Sequence, residues 1–448
     1  MMSLDLEKLA RRVPRYTSYP PAPYFEETVT GQTYATWLHK IRDDQSVSLY
    51  FHIPFCKEMC WYCGCNTIVV NRPDLIRNYI RSLKAEVERV SDAIGKKVPC
   101  SHLHFGGGTP TVVDNQDFTD LMALVAERFD MAPNAERAIE IDPRTLSASM
   151  ADTLAATGIN RASLGVQEFS PIVQKAVNRV QPFEVVKQAC DLLRSRGITQ
   201  IGFDLMVGLP FQTVDDIEHT VEKSMWLQPD RVSVFAYAHV PWMKKHQRLI
   251  EDSTLPSLED RLAQAKAARA SLGTRGYMPI GMDHFARPFD PLARAAREGK
   301  LKRNFQGYTT DQSDTLIGFG ASAIGSLPQG YIQNKVQVRD YLGAIDSGDF
   351  AIARGYALSA DDKLRRAIID QLMCTFALDL DTIEDAKGQT IGTLGNAEDL
   401  ADYQAQGLIE RDPTKLTITD AGKPYVRLIA AAFDRYLTPS TTRHAMAG

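Results

Sequence analysis

The stretch YFHIPFCKEMCWYCGCNT, residues 50–67, places four of the seven cysteines of the chain within ten positions. They are Cys56, Cys60, Cys63 and Cys65, and the apolar run before them is typical of a β-strand. Three thiols spaced C-x3-C-x2-C at the end of a strand have little packing rationale, so they indicate metal or redox chemistry.

The spacing of these thiols separates two kinds of metal site. A structural zinc site normally uses two separated ligand pairs, and the chain has no second pair, so zinc is the weaker alternative. Three thiolates can hold a four-iron cluster and leave one iron free for another ligand. Cys65 lies only two residues beyond Cys63, and we interpret it as a nearby residue that is not a ligand.

The composition excludes several classes of protein. The net charge is −4, with 51 basic and 55 acidic residues and no basic block, which argues against a nucleic-acid partner. No apolar run approaches the ~20 residues that cross a bilayer, so no membrane association is expected. The first residues show no secretory signal, and the predicted location is cytoplasmic.

Apolar runs alternate with amphipathic stretches along the central part of the chain. Six of these apolar runs predict buried strands, at 47–54, 101–107, 138–142, 161–167, 201–210 and 231–238. Between them, four stretches have helical spacing of apolar residues, at 73–90, 117–129, 183–197 and 214–227. This order predicts an α/β fold with a parallel sheet, and six units rather than eight favour a partial, open barrel. A doubly wound sheet is the alternative.

Two segments lie outside this alternation. Residues 1–45 form a predicted N-terminal arm or lid, in which PRYTSYPPAPYF contains four prolines and four aromatic residues and should pack against another surface. Residues 351–448 form a predicted small, mostly helical C-terminal domain. Its element order also fits a winged helix, but the balanced charge weakens a DNA-binding interpretation. Residues 46–350 are then the predicted barrel with its extension.

The cysteine motif resembles the signature of the radical S-adenosylmethionine (SAM) enzymes. That resemblance implies a partial (β/α)6 barrel whose [4Fe–4S] cluster is held by Cys56, Cys60 and Cys63. It also implies that the free iron binds the methionine moiety of SAM, from which a 5′-deoxyadenosyl radical is generated. No side chain is assigned a catalytic role, because the cofactor carries the radical.

Further motifs extend the resemblance over nearly the whole chain, among them FGGGTPT (105–111), EIDPR (140–144), GVQEF (165–169) and GFDLMVGLPFQT (202–213). The cofactor-binding residues that it implies are Tyr50, Tyr62, Gly107, Gly108, Thr109, Glu140, Gln167, Arg179, Asp204, Ala238 and Ile324. Taken singly, a glycine-rich turn is often only a tight connection, and Glu140 and Asp204 could cap helices. Arg144 is a candidate partner for a ligand carboxylate, whereas a lone His52 in an apolar run is more often a core residue.

Within this family the motifs resemble the branch that acts on coproporphyrinogen III in haem biosynthesis. The implied reaction converts two propionates to vinyl groups and yields protoporphyrinogen IX. The resemblance also implies that two SAM molecules bind and that a low-potential flavodoxin- or ferredoxin-like protein donates the electron. The expected oligomeric state is a monomer. Arg287, Lys302 and Arg303 are candidate contacts for the propionates, although a residue of this kind taken alone is more often a solvated charge. Related haem-trafficking and haem-degrading proteins are the alternatives.

Overall fold

A computed structural model describes residue 11 and residues 13–437, and it contains the strand–helix alternation that the sequence predicts. The chain divides into two compact units. The barrel unit comprises residues 26–277 and 313–357, and the second unit comprises residues 1–25, 278–312 and 358–448. The domain boundaries drawn from the sequence, at residues 45 and 350, stay a prediction.

Ten strands of the barrel unit form one sheet. In chain order they are β1 Val47–Ile53, β2 Pro99–Gly107, β3 Asp130–Ile141, β4 Arg161–Gln167, β5 Gln200–Val207, β6 Arg231–Ala236, β7 Thr315–Phe319, β8 Ile324–Leu327, β9 Gly330–Asn334 and β10 Ile352–Ala357. The spatial order is β10-β9-β8-β7-β1-β2-β3-β4-β5-β6. Strands β1 to β6 are parallel and follow one another in chain order, which confirms the predicted βα units.

The sheet also contains strands beyond the six predicted units. Strand β7 adds parallel to the free edge of β1, and β8, β9 and β10 continue antiparallel to one another beyond it. Strand β3 is longer than predicted, because Asp130 and Met131 pair with β2 before a register shift that leaves residues 132–135 (Ala-Pro-Asn-Ala) out of the ladder.

Helices connect these strands as expected. They span Gly31–His39, Pro73–Ile94, Asn115–Arg128, Ala148–Ala156, Pro171–Ala176, Phe183–Arg194, Val214–Trp226, Leu258–Thr274 and Val338–Asp346. Helix Pro73–Ile94 begins with proline, which needs no N–H partner in the first turn, and ends at Gly95 with φ +75°. Leu75, in the first turn of this helix, is 43% exposed, whereas the next residue, Ile76, is buried.

The core of the barrel unit is aromatic around β1. Phe51 of β1 pairs in register with Phe105 of β2 on one side and with Phe319 of β7 on the other. The Phe51 ring stacks on both neighbours, with centroid separations of 4.9 and 4.8 Å, and all three side chains are fully buried. Stacked rings of this kind stabilise a sheet beyond the area they bury, so they fix the register at β1, the strand that leads into the cysteine motif.

The second unit has its own apolar core, built from helices and short strands. The helices are Pro291–Arg297, Ala360–Thr375, Ile391–Leu394, Ala397–Ala405 and Val426–Ala431, and the strands are Met278–Ile280, His284–Ala286, Lys302–Asn304, Gly307–Thr309, Ala377–Asp379, Ile409–Arg411 and Lys415–Ile418. The C-terminal part is therefore mostly helical, as predicted. Val13, Tyr16 and Tyr19 of the N-terminal arm belong to the same buried cluster.

Among the residues that the structure describes, no helix is long and apolar enough to cross a membrane.

Candidate functional site

The predicted site residues gather at the carboxyl ends of the parallel strands. Gly107 ends β2, Gln167 ends β4 and Ala238 follows β6, while Glu140 lies near the end of β3. Parallel strands place their carboxyl ends at one edge of a sheet, where α/β enzymes bind ligands. Tyr50 and Asp204 lie within β1 and β5, and Ile324 begins β8 on the other side of β1.

The cysteine motif forms a loop that is closed at its base. Phe55–Cys56 pairs in parallel with Ile68–Val69, so Cys60, Cys63 and Cys65 lie between these two short strands. Cys60 is buried, Cys56 and Cys63 are partly exposed, and Cys65 is exposed. Within the described residues, no group of three or more His, Cys, Asp or Glu side chains is placed to hold a single metal ion.

Side chains from distant segments hold the backbone of this loop. The Asn178 side chain donates to the Met59 carbonyl at 2.9 Å. Lys244 donates to the Cys65 carbonyl at 2.8 Å, His246 Nε2 lies 2.7 Å from the Cys63 carbonyl oxygen, and Gln247 donates to the Tyr62 carbonyl at 3.0 Å. Lys244, His246 and Gln247 were not predicted, because a polar run after a strand gives no sign of what it contacts.

Two guanidinium groups lie at the Cys60 sulfur. Arg179 Nη1 is 3.4 Å and Arg144 Nη2 is 3.6 Å from Cys60 Sγ. Asp142 accepts from both arginines, at 3.3 and 2.7 Å. Burial alone would raise the pKa of Asp142, but Arg179 and Arg144 hold it below its usual range. Arg144, predicted to pair with a ligand carboxylate, therefore already has Asp142 as its carboxylate partner.

The thiols of Cys56, Cys63 and Cys65 differ in acidity. Burial raises the pKa of Cys56 to about 11 and outweighs the hydrogen bond from Thr109, whose oxygen lies 3.6 Å from the sulfur. A hydrogen bond from the Cys65 thiol lowers the pKa of Cys63 to about 6, and the same bond raises the pKa of Cys65. A thiolate is the metal-binding form of cysteine, so two nearby cations and a readily ionised Cys63 suit a donor set for iron and sulfide.

The glycine-rich turn packs directly under the cysteine loop. A Cβ at Gly107, where φ is +116°, would lie 2.7 Å from the His52 ring, and one at Gly108 would lie 2.6 Å from the Phe55 carbonyl oxygen. The N–H groups of Gly107, Gly108 and Thr109 donate to Glu140, Ile53 and Phe55. These three N–H groups therefore already have partners within the chain.

The carboxylates of Glu140 and Asp204 do not cap helices. Glu140 accepts from the Gly107 N–H at 3.1 Å and lies 3.2 Å from His104 Nε2, while 40% of its side chain stays exposed. Asp204 accepts from the Ser163 hydroxyl at 3.1 Å and is partly exposed. Both carboxylates therefore lie at the edge with part of their surface open.

The remaining predicted residues have distinct surroundings. Tyr62 packs on a small apolar cluster that includes Val173 and Tyr237. Gln167 has φ +66°, an unusual value for a residue other than glycine. Arg179 is buried, the Ala238 carbonyl accepts from Gln247 at 3.3 Å, and Ile324 pairs with Gln333.

His52 is a satisfied residue of the core, as the alternative interpretation expected. Its Nδ1 lies 3.0 Å from the Tyr50 hydroxyl and its Nε2 lies 2.9 Å from the Asn66 carbonyl oxygen. Burial lowers the pKa of His52, which favours the neutral ring.

The three basic residues proposed for the propionates lie in the second unit. The Arg287 guanidinium lies 5.9 Å from the Phe289 ring centroid, and the Arg303 guanidinium lies 4.6 Å from that of Tyr308. Lys302 is exposed on the same hairpin. Their role towards the substrate stays a prediction.

Helix Pro73–Ile94 contains a buried carboxylate, Glu86, whose role was not predicted from the sequence. Glu86 accepts from Gly320 N–H at 2.7 Å, from the Asn334 side chain at 2.6 Å and from the Tyr341 hydroxyl at 2.8 Å. It thereby holds the turn between β7 and β8. Glu86 could have been recognised from the sequence, because it is a carboxylate on the apolar stripe of a predicted helix.

The Glu86 carboxylate should make stability depend on pH. Burial raises its pKa to about 7, so between its usual value and pH 7 the native state binds more protons than the unfolded state. Stability then falls as pH rises through this window, by up to about 3 kcal/mol. The free energy of unfolding is measured with urea at about pH 5 and at about pH 8. We expect it to fall more between these two pH values in wild type than in Glu86→Gln. Parallel pH dependence in the two proteins would contradict this.

Comparison with known proteins agrees with the fold and the cysteine loop. The Radical SAM superfamily model matches residues 50–223, and the HemN C-terminal domain model matches residues 358–425. The fold and the loop thus define a radical SAM protein, a class that implies a [4Fe–4S] cluster and SAM as cofactors.

Full-length relatives narrow the class. The oxygen-independent coproporphyrinogen III oxidase of Bradyrhizobium diazoefficiens is 49% identical over 437 residues, 97% of each chain, and that of Paracoccus denitrificans is 41% identical over 435 residues, 96% of each chain. The solved structure of coproporphyrinogen III oxidase (HemN) from Escherichia coli is similar with a TM-score of 0.90 and 38% identity, over 95% of this chain and 100% of that one. The chain belongs to the oxygen-independent coproporphyrinogen III oxidase family.

Proposed function

We propose that this chain performs the reaction named in its relatives and oxidises coproporphyrinogen III without oxygen. Two propionate side chains would each lose a hydrogen atom to the 5′-deoxyadenosyl radical, and then carbon dioxide and one electron, which passes to an external electron acceptor. Each propionate thereby becomes a vinyl group, which gives protoporphyrinogen IX. The observation that carries the proposal is the 49% identity over 97% of both chains to an enzyme of that name. No observation favours haem trafficking or haem degradation.

The cysteine loop is the proposed site of the cluster, with Cys56, Cys60 and Cys63 as ligands. When bound, the [4Fe–4S] cluster and SAM supply a 5′-deoxyadenosyl radical that removes a hydrogen atom from the propionate. Arg179 and Arg144, at 3.4 and 3.6 Å from Cys60 Sγ, offset the negative charge of that thiolate.

The carboxyl edge of the sheet is the proposed SAM site. Because the N–H groups of residues 107–109 are occupied, this turn would contact SAM through its carbonyl groups. The open parts of Glu140 and Asp204 would accept hydrogen bonds from an ammonium or a ribose hydroxyl. The other proposed contacts are Tyr50, Tyr62, Gln167, Arg179, Ala238 and Ile324.

Three features of the wider system belong to the same proposal. Two SAM molecules are proposed because the substrate loses two carboxyl groups in succession. A low-potential flavodoxin- or ferredoxin-like protein is the proposed electron donor, since reductive cleavage of SAM requires a strong reductant. We propose a cytoplasmic monomer that has no nucleic-acid partner.

Removing the exposed carboxylates should weaken SAM without removing the cluster. We expect Glu140→Ala and Asp204→Ala to raise the Kd of SAM by roughly ten- to a hundredfold, because a hydrogen bond to a charged group contributes about 1.5–3 kcal/mol. Isothermal titration of reconstituted, anaerobic protein measures this, with iron content as the control. Unchanged affinity in both variants would return these residues to a purely structural role.

The proposed reaction can be tested directly with anaerobically purified protein. Iron and sulfide content, SAM cleavage and conversion of coproporphyrinogen III are measured with a chemical reductant, and the porphyrins are separated by chromatography. We expect a brown protein that forms protoporphyrinogen IX. Stable haem binding without decarboxylation would support the trafficking alternative, and a colourless zinc protein would exclude the radical mechanism.

A further inference from the structure

A buried carboxylate lies directly beside the proposed cofactor residue Gln167. The Glu168 side chain is only 2% exposed. One oxygen accepts from the Phe169 and Ser170 N–H groups at 2.6 and 2.9 Å and from the Thr220 hydroxyl, and the other accepts from the Gln212 amide at 2.7 Å. These four donors are uncharged. The carboxylate oxygens therefore have hydrogen-bond donors, but none of the four neutralises the negative charge.

Gln212 connects this carboxylate to the neighbouring strand end. Its side-chain nitrogen also donates to the Met206 carbonyl at 2.8 Å, and its oxygen accepts from the Leu209 N–H at 3.1 Å. Glu168 and Gln212 therefore tie the carboxyl end of β4 to that of β5.

A second branch of the network leads from Glu168 towards the cysteine loop. The Gln174 amide donates to the Glu168 carbonyl at 2.8 Å and to the Gln181 carbonyl at 2.6 Å, and its oxygen accepts from the Gln181 N–H at 2.9 Å. Gln181 in turn donates to the Gly165 and Val166 carbonyls, both at 3.2 Å. Gln174 is 4% and Gln181 0% exposed, so water cannot replace these bonds.

This branch encloses Arg179. Its Nη2 donates to the Gly165 carbonyl at 2.6 Å, the same carbonyl that Gln181 holds, while its Nη1 lies 3.4 Å from Cys60 Sγ. The position of the guanidinium at the cysteine sulfur thus depends on backbone that the network fixes. The left-handed backbone at Gln167 is unfavourable for a residue other than glycine, and it lies between Gly165 and Glu168, whose carbonyl groups the network holds.

We infer that Glu168, acting with Gln174, Gln181 and Gln212, is a positioning residue for the cofactor edge. The network sets the orientation of Gln167 and the placement of Arg179 on the cluster cysteine. This inference rests on the proposed function, because it assumes that the edge binds SAM. A core that served stability alone would gain more from apolar side chains of the same volume.

The test compares SAM affinity in two variants of the network. Glu168→Gln keeps the shape of the side chain but places an N–H₂ group opposite N–H donors. Gln174→Leu removes the hydrogen bonds of the second branch and leaves the Glu168 carboxylate in place. With iron content at the wild-type level, we expect each to raise the Kd of SAM at least tenfold by isothermal titration. Two variants are used in case one of them fails to fold.

The control is a partly buried cluster of ion pairs at the amino ends of β4 and β6. Glu136 of β3 lies 3.0 Å from Arg161 and 3.3 Å from Arg231, the first residues of β4 and β6. Glu136→Gln should lower the thermal midpoint while the Kd of SAM stays within twofold of wild type.

The outcomes separate positioning from stability. A Kd within twofold of wild type in both network variants, or a rise matched by Glu136→Gln, would overturn the inference. Wild-type protein that binds SAM but does not convert coproporphyrinogen III would overturn only the proposed function, whereas wild type that does not bind SAM would overturn both.

Discussion

We expect alanine at Cys56, Cys60 or Cys63 to abolish the brown colour of the anaerobically purified protein and all cleavage of SAM. Three thiolates are the fewest anchors that hold a four-iron cluster with one open iron, so two should not retain it. Iron and sulfide analysis, the visible spectrum and the yield of 5′-deoxyadenosine measure the loss, which should be complete in each variant.

Two other cysteines serve as matched controls for this prediction. Cys65 is exposed and its thiol hydrogen-bonds to the Cys63 sulfur, so Cys65→Ala should keep iron while changing the spectrum slightly. Cys100 is buried within β2, with its thiol 3.3 Å from the His102 carbonyl oxygen, and Cys100→Ala should keep both iron and cleavage. Normal iron content and cleavage in any of the three ligand variants would refute the ligand assignment.

The central strands could be predicted because they are short, mostly apolar runs. Strand β1, Val47–Ile53, is buried at six of its seven positions, which is the pattern of a strand inside a parallel sheet. The first half of β3 could not be predicted in this way, since Asp130, Pro133 and Asn134 break the pattern in a segment that bulges out of the ladder.

The site could be predicted only as far as local motifs extend. Strand ends identify Gly107 and Gln167, because chemistry in α/β folds gathers there. The contacts that hold these residues join distant parts of the chain, such as His246 with Cys63 and Glu86 with Asn334. No periodicity or spacing encodes such pairs. The carboxylate partner of Arg144 is Asp142, two residues away in the EIDPR motif, and it was missed although the two are neighbours in the sequence.

The N-terminal arm gives the second large expected effect, which concerns stability. Val13, Tyr16 and Tyr19 are 1–2% exposed within the core of the second unit. The Arg427 guanidinium donates to the Val13 carbonyl at 2.5 Å and to the Pro14 carbonyl at 3.2 Å. The arm is thus part of the core of this unit rather than an addition to its surface.

Deleting residues 1–25 should therefore destabilise the second unit by about 5 kcal/mol or more, since each buried large side chain contributes about 1.5–3 kcal/mol. The loss would also leave Arg427 without two acceptors and Asp434 without the Tyr16 hydroxyl, which lies 3.0 Å away. Calorimetry should show a separate, early unfolding transition, whereas the cluster and SAM affinity of the barrel unit should persist.

Single substitutions distinguish the core contribution of the arm from its surface contacts. Arg11→Ala breaks an exposed pair with Asp399 and should change stability by less than about 1 kcal/mol, whereas Tyr19→Ala should cost about 3 kcal/mol or more. The lid hypothesis predicts in addition that truncated protein cleaves SAM without matching decarboxylation. Truncated protein that unfolds at the full-length midpoint would refute the core role, and equal coupling of cleavage to turnover would refute the lid, so each role of the arm is tested by its own measurement.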